Sequence, residues 1–84
     1  MSEFSLFKAL TKINDEKVMQ KFLLDLCTPA ELKAMSERWR VAQMLKLGIS
    51  YRQINEETGV STATITRVAR SVNEGSGYRQ LLKD

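Results

Sequence analysis

Residues 51–72 read YRQINEETGVSTATITRVARSV, two short helical patterns separated by a glycine. Ser50 stands where an N-cap belongs, with Gln53 three residues on, which predicts a first helix from Tyr51 to Glu57 or Thr58. Gly59 supplies the positive φ that a tight connection needs, and Ser61 caps a second helix. Ile54, Val60, Ile65 and Val68 fall where two such helices pack on each other, and Ala69 and Val72 continue the inward face. A short helix, a three-residue turn and a second helix within 22 residues is the layout of a helix-turn-helix.

The other side of the second helix carries Thr62, Ala63, Thr66, Arg67 and Arg70, and residues 58–73 contain no acid. Small side chains near its start let a helix enter a DNA groove, where threonine and alanine reach base edges and thymine methyls. Arg70 and the first amides of the helix suit phosphate, and Arg52 on the first helix suits a guanine or a phosphate. The expected DNA-contacting set is Arg52, Ser61, Thr62, Ala63, Thr66, Arg67 and Arg70. A helical hairpin docked on another protein is the alternative, with Ser61, Thr62, Thr64 and Thr66 acting as cap and solvent residues. Against it, three threonines in two turns each cost about a few tenths of a kcal/mol relative to alanine, so something other than local stability keeps them.

Upstream, Thr28-Pro29-Ala30-Glu31 combines an N-cap, a proline at the first helical position and a capping-box glutamate. A helix of about 28 Å is expected from Pro29 to Leu47, closed by Gly48 in the left-handed conformation. Its apolar residues, among them Leu32, Met35, Trp39, Val41, Met44, Leu45 and Leu47, cover more of the circumference than one packing face needs, which predicts a subunit interface. Val18, Met19, Phe22, Leu23 and Leu26 form one face of a helix between Asp15 and Cys27, with Asn14 as its N-cap, and residues 2–13 predict a further amphipathic helix. Downstream, a break at residues 73–77 precedes a short helix from Gly77 to Lys83. The expected fold is all-α with about six helices in a single domain over residues 1–84. Within it, residues 1–49 are dimerisation helices, 50–73 the helix-turn-helix and 74–84 a short C-terminal helix.

The 84 residues include 13 basic and 10 acidic side chains, a net charge of +3 that permits a nucleic-acid partner without demanding one. A chain this short buries only about 60% of its unfolded surface, which makes a second copy the natural source of further burial. With no histidine, a Ser-His-Asp or Cys-His nucleophile, a histidine base and the common zinc patterns are excluded, so no catalytic residue, metal or cofactor is expected. Glu56 and Glu57 face different directions and make a poor catalytic pair; they should mark the side of the first reading helix turned away from DNA. Cys27 is alone and reads as a small buried hydrophobe, and Trp39, Met19, Met35 and Met44 read as core or interface filler. No leader pattern or apolar run of about 18 residues occurs, so no membrane contact and a cytoplasmic location are expected.

Thr28-Pro29-Ala30-Glu31 through Arg38, then Gly48, then Gly59 through Ser71, resemble the bacterial Trp repressor superfamily, particularly its small Trp-repressor-like members of the YerC/YecD type. The string Ala63-Thr64-Ile65-Thr66-Arg67 is the most specific part, and the likeness covers residues 23–73. It implies an interlocked homodimer whose two reading heads bind half-sites about one helical turn apart on a roughly palindromic double-stranded DNA operator, partly through water. The implied activity is transcriptional regulation by repression. The resemblance also implies an effector pocket at Thr28, Arg38, Thr64, Arg67 and Ser71, where the repressor holds L-tryptophan. Arg38 and Arg67 have a simpler use as partners of phosphates or of Glu31, Glu37 or Glu57. Val68 departs from the pattern: a β-branched side chain replaces the glycine that lies against the indole. The sequence therefore implies a protein that fills its own pocket and regulates without L-tryptophan. A protein-docking module and the DNA-targeting module of a transposase or replication initiator are the competing readings.

Overall fold

Every regular element between Phe4 and Lys83, the residues described by a computed structural model, is a helix. These are α1 (Leu6–Lys12), α2 (Glu16–Leu26), α3 (Pro29–Lys46), α4 (Tyr51–Thr58), α5 (Thr62–Glu74) and α6 (Gly77–Leu82). The chain groups into two compact units whose boundary falls between Leu32 and Lys33, within α3.

The first unit is built by caps. Ser5 accepts from the Lys8 amide at 3.3 Å and starts α1; the part of the expected helix before Phe4 lies outside the described residues. Asp15, not Asn14, caps α2, its carboxylate accepting from the Lys17 amide at 2.8 Å. Asp15 directly precedes the first helical residue in extended conformation, and an anion there also meets the positive end of the helix dipole. The capping box of α3 forms in both directions, Glu31 N–H to Thr28 Oγ1 at 3.1 Å and Thr28 N–H to Glu31 Oε1 at 2.8 Å. No residue of α1 or α2 is buried. Cys27 and Met19 are half-buried rather than core residues.

The second unit holds the core: Val41, Ala42 and Met44 from α3, Ile54 from α4, Val60 from the turn, and Ile65, Val68 and Ala69 from α5. Trp39, Leu45, Ile49, Val72, Tyr78 and Leu82 pack around it. Met35 is exposed, so of the three methionines expected as filler only Met44 is buried. α3 ends at Lys46, one residue earlier than expected, in a Schellman closure: Gly48 has φ +83, Ile49 N–H donates to Met44 O and Gly48 N–H to Leu45 O. Gly59 has φ +76, and a Cβ added there would meet no atom within 4 Å, so the glycine serves the backbone angle rather than space. Side chains complete the α4–α5 turn: Asn55 Nδ2 donates to Val60 O at 2.8 Å, and Thr58 Oγ1 accepts from Val60 N–H at 3.0 Å while donating to Ile54 O.

α5 packs on α4 and on α6. It runs through Glu74, which shortens the expected break to Gly75 and Ser76, and α6 ends at Leu82. Two contacts fasten this short helix. The Tyr78 ring stacks on Trp39 with centroids 6.3 Å apart and planes 9° from parallel. The Arg79 guanidinium donates to the carbonyls of Val72 and Asn73, which satisfies acceptors left open at the end of α5.

Candidate nucleic-acid interface

Burial divides α5 lengthwise. Ile65, Val68 and Ala69 are buried, while Thr62, Ala63, Thr66, Arg67 and Arg70 are exposed, with Thr62, Thr66 and Arg70 one turn apart in a row. Ser61 is exposed but occupied: its Oγ accepts from the Thr64 amide at 3.2 Å and donates to Thr64 Oγ1 at 3.1 Å. Outward it offers an acceptor. Thr66 Oγ1 donates to Thr62 O at 2.8 Å, so the hydroxyl proton is turned back into the helix and Thr66 presents a methyl and an acceptor. The first amides of a capped helix remain open to an anion.

Arg52 is on the outward side of α4, and its Nε lies 3.4 Å from Glu56 Oε2. One side of α4 thus holds both Arg52, expected to contact DNA, and Glu56, expected on the side turned away from it. Residues four apart return to the same helix face, so the arginine and the carboxylate share it, opposite the buried Ile54.

Arg38 from α3, Thr64, Arg67, Val68 and Ser71 from α5, and Tyr78 from α6 line a cavity of about 220 Å³. Five of the six expected effector positions thus meet around one space. Thr28 lies in the first unit, where its hydroxyl caps α3. Within the second unit neither Arg38 nor Arg67 forms an ion pair with Glu37 or Glu57. Val68 is only 3% exposed and belongs both to the core and to the cavity wall. Tyr78 was not anticipated as a lining residue. Its only signal is an aromatic on a helix too short to stand alone, which therefore has to be docked.

Among the described residues no group of three or more His, Cys, Asp or Glu could hold a metal ion, and no helix is long and apolar enough to cross a membrane.

The family model described as Trp repressor protein matches residues 3–84. A Bacillus subtilis (strain 168) relative, described as Uncharacterized protein YerC, is 39% identical over 79 residues, which is 94% of this chain and 76% of the relative. The solved structure of a TrpR like protein from Eubacterium eligens ATCC 27750 matches with a TM-score of 0.85 at 43% identity, over 90% of this chain and 79% of that one. A candidate Trp repressor from Staphylococcus aureus matches with a TM-score of 0.85 at 41% identity, over 92% of this chain and 78% of that one. With the match extending across both the capped helices and the α4–α5 pair, the chain belongs to the Trp repressor family.

Proposed function

We propose that this protein is a sequence-specific double-stranded DNA-binding regulator of the cytoplasm, acting as a homodimer and repressing transcription by occupying a roughly palindromic operator. α4 and α5 are its helix-turn-helix and α5 enters the major groove. The observation that carries this reading is the division of α5 into a buried apolar side and an exposed Thr62, Ala63, Thr66, Arg67 and Arg70 side. Thr62, Ala63 and Thr66 are the base-reading residues, and Arg67, Arg70 and the start of α5 meet phosphate. Family membership supports DNA binding as the class of activity. The dimer is supported by α1 and α2, which are amphipathic but bury no residue in one copy of the chain. Independence from L-tryptophan is supported by the β-branched Val68 in the cavity wall, where the family resemblance places a glycine, although a space of about 220 Å³ remains beside it.

Selection from a random duplex library by the purified protein, with and without L-tryptophan and with the mass read by light scattering, tests the reading. A palindrome enriched equally under both conditions by a dimer is expected, with a log–log salt slope of about −7 for roughly four phosphates per half-site. Enrichment only with tryptophan would overturn corepressor independence. No enrichment under either condition would defeat the DNA-binding reading in favour of a protein-docking hairpin. Thr66→Ala should relax base preference at a cost of about 1 kcal/mol, whereas Arg70→Ala should weaken all sequences alike and flatten the salt slope.

A further inference from the structure

We infer that Glu56 is a positioning residue that fixes how Arg52 presents its guanidinium to DNA, and thereby sets base preference under α4; this rests on the DNA-binding reading above. The pair contributes little to the fold. Both side chains are exposed, at 89% and 61%, and an exposed ion pair contributes little to stability. Its order along the helix is also the unfavourable one. Arg52 is the second residue of α4, at the positive end of the helix dipole, and Glu56 lies toward the negative end. A carboxylate on the side of α4 that carries the DNA-contacting arginine further costs affinity for every DNA sequence.

The atoms show what the arrangement does offer. A guanidinium has a side edge that includes Nε and an end edge formed by its two Nη groups. Glu56 Oε2 takes the Nε side at 3.4 Å, which leaves the Nη end free to point away from α4. That free end matches the O6 and N7 acceptors of guanine in a bidentate contact. An arginine so held is a poorer partner for a phosphate, because its charge is already offset and its side edge is occupied. Glu56 thus lowers binding to arbitrary DNA and keeps Arg52 for one base pair, which is specificity through a repulsive element.

Library selection with Glu56→Gln, Arg52→Ala and the double variant, each at two salt concentrations, tests this. The wild type should prefer guanine at one position per half-site by about tenfold or more. Glu56→Gln should reduce that preference to about twofold with the other positions unchanged, tighten binding to random DNA, and steepen the salt slope by about 2 for a dimer as each freed arginine neutralises a phosphate. In the Arg52→Ala background the glutamine should no longer alter base preference. A Glu56→Gln variant that selects the wild-type motif with an unchanged salt slope would overturn the assignment and leave DNA binding intact. Loss of preference at all positions together would overturn it as well, while a wild type that selects no motif would defeat both readings. Equal thermal melting of Glu56→Gln and wild type, expected for an exposed site, separates positioning from misfolding.

Discussion

α2 and α5 are amphipathic helices of similar length, 11 and 13 residues, and they end in opposite circumstances. α5 buries Ile65, Val68 and Ala69; α2 buries nothing, with Val18, Leu24 and Leu26 each about half exposed. An isolated helix this short is marginal in water and owes its persistence to a covered apolar stripe. The stripe of α5 is covered within its own unit by α4, α6 and the later half of α3. That of α2 has no such cover from a single copy of the chain, which is why a second protomer enters the proposed function.

The largest expected effect lies on the finished side of this contrast. Ile65 is fully buried, so Ile65→Ala should cost about 2–5 kcal/mol of unfolding free energy in urea titration followed by circular dichroism. A cost near zero would mean that the second unit is not the stable core. On the unfinished side, Leu26→Asp should leave that core folded and weaken self-association by roughly thirty-fold or more, about 2 kcal/mol, in sedimentation equilibrium. An unchanged dimer, or a wild type that is itself monomeric, would break the contrast. Gly59→Ala sharpens it at the level of the backbone. With nothing within 4 Å of the added Cβ, the cost should be the left-handed strain alone, about 1–2 kcal/mol in thermal unfolding. Ser61→Ala removes the cap of α5 and should cost about 1 kcal/mol by the same measurement.

The α4–α5 pair was legible because the signals that define it are short-range. Ser50 and Ser61 receive their capping bonds from residues three positions on, and Gly48 and Gly59 take the positive φ expected of them. Short range also sets the limit. Asn14 and Asp15 are both good caps, and only the extended backbone at Asp15 and its bond from Lys17 choose between them. The conflict between Arg52 as a DNA contact and Glu56 as a mark of the opposite side is itself legible, because a spacing of four places the two on one face. Thr64, Arg67, Val68 and Ser71 are three and four residues apart and so share one face of α5, whereas no spacing brings Arg38 of α3 to them; only the family resemblance groups it with them.

What the sequence by itself determined is the all-helical class, the order of six helices, and the side of α5 that faces outward. Helix periodicity, caps and glycine turns act within about four residues and can be read along the chain. The tertiary structure alone decided that Tyr78 lines the cavity with Arg38 and Arg67, that its ring stacks on Trp39, and that Arg79 caps α5. It also decided that α5 finds its cover within the chain while α2 buries nothing. These contacts join helices distant in sequence. Their existence depends on which apolar stripes meet and which stay open, a choice made by the packing of whole helices rather than by any local pattern.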